Sequence, residues 1–234
     1  MRSHTWEHYC NDRRCAGTFE NQILYATCRD NFTHTSPYVI AGKITAIGRI
    51  YAASPERGAG KGKNLRVGLS DAIGIQLAQS KLDEKLSLIC FEEKFSAKLI
   101  DSVAEIHTHL VGEIRDAIFR WSELASDQNW KPRSHRSFAS KYLHFHRPNL
   151  FPIMDSLARA GLSKLEPKAG WGDYKQFCVA IGEYIDKIPP DWTLRSLDTM
   201  LVSIGRGHSG NQSAGCGCNV VHINSSAERP DWLV

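Results

Sequence analysis

At 234 residues the chain has room for one large domain or two small ones. A hydrophobic content of 42% supports a packed core, and 23% charged residues with a net charge of +4 give a mildly basic balance that names no partner by itself. No apolar run approaches the ~20 residues that span a bilayer. The opening Met1-Arg-Ser-His-Thr-Trp-Glu-His lacks a hydrophobic signal core, and the seven cysteines are scattered, which argues against a disulfide framework and for a cytoplasmic protein.

Apolar spacing predicts helices almost throughout. Phe19, Ile23, Leu24 and Cys28 suggest a short first helix. Ser36-Pro37 is a start signal, with proline at the first helical position. Tyr38, Ile40, Ile44, Ile47 and Tyr51 then share one broad face. A Gly/Lys-rich loop follows over residues 54–64, and Leu69, Ile73 and Leu77 mark the next helix.

The longest helix is predicted from Phe95, Leu99, Val103, Ile106, Leu110, Ile114, Ala117, Trp121 and Leu124, with a bend expected at Gly112. After Trp130-Lys-Pro comes a basic, aromatic helix that stops at Pro148. A short apolar link over residues 150–154 leads to Asp155, which opens a short helix with Gly161 near its end. Tyr174, Phe177, Ile181 and Ile185 precede Pro189-Pro190, and Leu194, Leu197, Leu201 and Ile204 form the last helix. Residues 206–234 read as an irregular tail. The fold class is all-α: a single helical domain over residues 1–205, with subdomains at roughly residues 1–90 and 91–205.

Charge is unevenly placed. Residues 43–66 hold six bases (Lys43, Arg49, Arg57, Lys61, Lys63, Arg66) and one acid, Glu56. Residues 131–147 hold five bases (Lys131, Arg133, Arg136, Lys141, Arg147), three histidines and no acid. Residues 81–127 hold ten acids and six bases. Two positive segments and an acidic back favour a phosphate-backbone partner. Two solvated segments of helix end and loop account for the same pattern equally well.

Asp155 stands out in Ser137-Phe-Ala-Ser-Lys-Tyr-Leu-His-Phe-His-Arg-Pro-Asn-Leu-Phe-Pro-Ile-Met-Asp155. One carboxylate sits at a helix start, behind an apolar link. As an N-cap it stabilises by ~1 kcal/mol, the commoner role for such a residue. Held rigid and partly desolvated, it also suits stabilisation of a developing cation, as when a base leaves a nucleic-acid sugar. His144 and His146, like His107 and His109, are two apart and so point to different helix faces. Neither a metal nor any other cofactor is expected.

Residues 141–155, with the basic helix, Pro148 and Phe-Pro-Ile-Met-Asp, resemble the helix-hairpin-helix DNA glycosylases, in particular the 8-oxoguanine glycosylase-like branch. The segment Ala41-Gly-Lys-Ile-Thr-Ala-Ile-Gly-Arg-Ile-Tyr-Ala-Ala-Ser is similar to a helix of bacterial glycosylase-like proteins found in phage-defence settings. The resemblance is specific over about twenty residues and diffuse over residues 36–205. It implies a helical bundle with a cleft between two subdomains, and Asp155 as the catalytic carboxylate. The glycine-bearing hairpin of that family is replaced here by Pro132-Arg-Ser-His-Arg-Ser-Phe-Ala-Ser, whose helix-start N–H groups can still meet a phosphate. The four-cysteine iron–sulfur cluster that some DNA glycosylases carry is absent. Lys141 lies about two turns closer to the acid than the family's nucleophilic lysine, which implies a monofunctional enzyme. In that case Lys141 is a phosphate contact or a solvated helix residue.

The expected activity is therefore flipping and excision of a modified base from DNA, leaving an abasic site. The resemblance to defence proteins points to glucosylated hydroxymethylcytosine of phage genomes, with 8-oxoguanine-type repair as the alternative. Expected DNA contacts are Lys43, Arg49, Arg57, Lys61, Arg133, Arg136, Ser137 and Ser140. Expected base-pocket or wedge residues are Tyr51, Phe145, Trp171 and Tyr174, each of which also fits a core position. A non-enzymatic DNA-binding protein on the same scaffold is the rival from another class. A nuclease is disfavoured, because metal chemistry needs clustered carboxylates and the basic segments hold almost none.

Overall fold

A computed structural model describes residues 19–56, 67–124, 133–165, 172–185 and 192–207. Among these residues the protein is all-helical, without strands. The helices are α1 (Phe19–Asp30), α2 (Pro37–Ile50), α3 (Leu69–Gln79), α4 (Leu82–Ser87), α5 (Ile100–Leu124), α6 (Arg136–His146), α7 (Ser156–Leu165), α8 (Tyr174–Ile185) and α9 (Leu194–Gly205). No helix among the described residues is long and apolar enough to cross a membrane.

Each predicted periodicity became a helix, with local differences. Pro37 opens α2 at its first position, as its fixed φ favours. α5 begins at Ile100, behind a 3₁₀ turn at Ala97–Leu99. Phe95 lies before that turn, and its N–H donates to the Asn149 carbonyl at 2.8 Å. α5 then runs uninterrupted through Gly112. α4 has only six residues, too few for a helical period to show in the sequence. The Arg147 guanidinium donates to the carbonyls of Leu86, in the last turn of α4, and of Ile89 and Cys90 beyond it, where a helix terminus presents acceptors.

One continuous core runs from Leu24 to Ile204, and α6 is at its centre. Every residue from Phe138 to His146 is buried, against α1, α2 and α5. The basic aromatic helix is therefore interior, and its polar groups must be bonded inside the protein. At the other end α7 and α9 pack backbone to backbone. A Cβ at Gly161 would collide with the Leu201 carbonyl, and one at Gly205 with that of Leu157.

Candidate active site

The end of α6 and the link beyond it fix Asp155. Arg147 leaves helical geometry ahead of Pro148, its N–H still donating to the Leu143 carbonyl. Phe151, Pro152, Ile153 and Met154 are all buried, so their backbone polar groups need partners. The Tyr174 hydroxyl donates to the Pro152 carbonyl at 2.7 Å. His144 Nδ1–H donates to the Phe151 carbonyl at 2.9 Å, which leaves its Nε2 to accept from the Tyr25 hydroxyl at 2.7 Å. Burial holds this imidazole neutral, its pKa pushed down to about 3. The Met154 N–H donates to Ser140 Oγ at 3.0 Å. A rigid, apolar strap thus delivers Asp155 to the head of α7.

Both oxygens of Asp155 are engaged. Oδ1 accepts from the N–H groups of Leu157 and Ala158 at 3.0 and 2.9 Å, which is N-cap geometry. Oδ2 accepts from Lys141 Nζ at 2.9 Å. The same ammonium donates to Ser137 Oγ at 2.9 Å. The Asp155 side chain keeps 23% of its surface exposed, against 3% for Lys141. Burial alone would raise the Asp155 carboxyl, but the Lys141 ammonium and the two N–H groups outweigh it and hold it below the usual range. The result is a fixed, ionised carboxylate with one open edge, able to stabilise a nearby developing cation.

A second ion pair stands beside the first. Arg195 Nη1 donates to Asp198 Oδ2 at 2.7 Å, with both side chains largely buried. Both cations lie over the Tyr51 ring, Lys141 Nζ at 5.7 Å and the Arg195 guanidinium at 5.8 Å from its centroid. Its hydroxyl donates to Asn21 Oδ1 at 2.5 Å. Burial pushes that phenol up to about 12, against the pull of Arg195.

Several expected contacts are corrected by their surroundings. Lys141 is buried and paired with Asp155, so it is neither a phosphate contact nor a solvated residue. Lys43 is 1% exposed, and its Nζ donates to the Asn31 carbonyl and His146 Nε2 at 2.6 and 2.9 Å. Ser140 is buried and clips the strap. Phe145 is core, packed on the rings of Tyr25 and Tyr51. Tyr174 is core as well, stacked 3.8 Å from His107. None of these five can touch DNA without unpacking the centre of the fold.

Arg49, Arg133 and Arg136 are exposed and Ser137 is half-buried, with Arg136 donating to the Gly172 carbonyl at 2.6 Å. Arg57, Lys61 and Trp171 lie outside the described residues. The structure thus gathers Lys141, Asp155, Ser137 and Tyr51, and adds Arg195, Asp198 and Asn21, which sequence reasoning missed. A signal for the added pair existed: Asp198 falls four residues after Leu194 and three before Leu201, on the apolar face of its helix. Compared with known proteins, the chain matches no family model, no curated protein and no solved structure.

Proposed function

We propose that this protein is a monofunctional DNA N-glycosylase that excises a modified base. The observation that carries this is Asp155: an ionised carboxylate, oriented by two backbone N–H groups and Lys141, with one edge open. In the reaction the C1′–N bond of a flipped nucleotide breaks and its electron pair leaves with the base. Positive charge gathers on the sugar, where Asp155 stabilises it. Water adds to C1′; its proton passes to the carboxylate and on, through solvent, to the departing base, which restores the ionised Asp155. The products are the free base and an abasic site. Exposed Arg49, Arg133 and Arg136 are the available phosphate grips. The resemblance to phage-defence proteins makes glucosylated hydroxymethylcytosine the first base to try and antiviral defence the role, with 8-oxoguanine next.

The second reading is a non-enzymatic DNA-binding scaffold. It is favoured by the full engagement of both Asp155 oxygens, which suffices for a cap and a buttress. One experiment separates the two. The protein is incubated with duplexes carrying each base, and abasic sites are scored by alkaline strand cleavage, with borohydride added in parallel. Release by the wild type and a loss of at least about a hundredfold in Asp155→Asn supports the proposal. Undiminished release by Asp155→Asn sinks it, and duplex binding without release from any substrate selects the scaffold. A borohydride-trapped DNA adduct, lost in Lys141→Gln, would show lysine attack and overturn the monofunctional assignment.

A further inference from the structure

Asp198 carries an unusual burden for a structural residue. It is 6% exposed; Oδ2 is held by Arg195, and Oδ1 has no hydrogen-bond partner. A buried, half-satisfied carboxylate is costly to keep. Asp198 also lines a cavity of about 10 Å³, whose wall includes Pro152 and Ile153 of the strap that carries Asp155, a space on the scale of one water. Tyr51, whose phenol feels the Asp198 charge, is shared by Arg195 and Lys141. Asp155–Lys141 and Arg195–Asp198 are therefore two acid–cation pairs meeting at one aromatic ring.

We infer that Arg195 and Asp198 are positioning residues of the Asp155 site, and that they keep its charge balanced: two cations against two carboxylates. The purpose rests on the glycosylase reading; the geometry does not. A cationic transition state forming beside Asp155 is stabilised by a neutral cluster and opposed by a positive one. Protonation of Asp198 would leave Arg195 uncompensated and make the cluster positive.

The groups around Asp198 decide how readily that happens. They are Arg195 on its own helix, Lys141 on α6, Asp155 at the head of α7, Tyr25 on α1 and Tyr51 just past α2. His144 on α6 also feels Arg195 and Lys141. Burial pushes Asp198 up to about 6; Arg195 and Lys141 oppose this, and the Asp155 anion adds to it. Asp155 is held low, so as pH falls Asp198 takes a proton first.

The test has a DNA-free arm and a reaction arm. In the full chain labelled with ¹³C-aspartate, NMR should show a carboxyl that titrates near pH 6. That signal should vanish in Asp198→Asn and move to lower pH in Asp155→Asn, which removes the neighbouring negative charge. On the cleavable duplex, single-turnover base release should fall below pH 6. In Asp198→Asn it should be slower by at least about tenfold, without the inflection and with DNA affinity unchanged, while Asp198→Glu should restore the inflection. If Asp198→Asn does not fold, Arg195→Met with Asp198→Leu removes both charges while keeping the volume. That variant should release base without the pH 6 inflection.

A carboxyl near pH 6 that ignores Asp155→Asn, or an unchanged pH–rate profile in Asp198→Asn, overturns the inference. Base release from no duplex by the wild type overturns the glycosylase reading instead. The NMR coupling then decides alone whether the two pairs form one cluster.

Discussion

At the scale of single residues the Lys141–Asp155 pair organises the site, and its energetics can be read by removing one partner at a time. Asp155→Ala removes a cap that contributes ~1 kcal/mol and leaves a buried ammonium unpaired, a further loss of ~3 kcal/mol. Adding Lys141→Met to that variant should restore most of the second loss and none of the first. Lys141→Met alone should cost only ~1 kcal/mol, because Asp155 keeps both N–H donors and some solvent. Urea unfolding of the four proteins checks this as a double-mutant cycle. Absence of rescue by Lys141→Met would show that the pair is not coupled. Asp155 was legible in the sequence because a proline stop, an apolar link and an acid are all local signals. Its partner was misjudged, since a lysine fourteen positions away is read as solvated until tertiary packing is known.

At the scale of elements the same contrast holds. α2, α5, α7, α8 and α9 followed from apolar spacing and end signals, because those helices are amphipathic. α6 was found as a helix but placed on the surface, because its bases and histidines conceal burial on every side. Satisfaction of those groups by Lys43, Phe151 and Asp155 is a property of the assembled bundle. Two glycines make the packing testable. Gly161→Ala would drive a methyl group into the Leu201 carbonyl and force apart α7 and α9, the helices carrying Asp155 and Asp198. A loss of ~3 kcal/mol is expected, at the upper end for overpacking. Gly112→Ala meets open space within unbroken α5 and should gain ~0.5–1 kcal/mol through helix propensity alone. Thermal unfolding of the two variants should therefore move in opposite directions. A parallel loss would mean that Gly112 is needed for close approach.

At the scale of the whole molecule the buried histidines set its response to acid. His34, His107, His144 and His146 are each at most 3% exposed, and burial lowers the pKa of all four. His107 is pushed down to about 4, against ~6.5 in an unfolded chain. Between those values the unfolded chain binds a proton that the folded one refuses, so stability falls as pH falls through this window. Asp198, raised to about 6, acts oppositely: its folded form keeps a proton, and stability falls as pH rises from ~4, the unfolded value, through about 6. Asp155 adds its loss only below ~4.

Four histidines outweigh one aspartate, so acid unfolding should begin below pH 6 rather than near pH 3. His107→Gln isolates one contributor. Glutamine can still donate to the Arg136 carbonyl that His107 Nε2 uses, but it loses the stacking on Tyr174, a cost of ~1 kcal/mol at pH 7.5. At pH 5 the wild type suffers ~2 kcal/mol from the proton His107 refuses, and the variant does not. The variant should therefore be less stable than the wild type at pH 7.5 and more stable at pH 5, each by ~1 kcal/mol. Urea midpoints at the two pH values decide it. Equal losses at both would show that His107 titrates in the fold as it does in the unfolded chain, which its burial opposes.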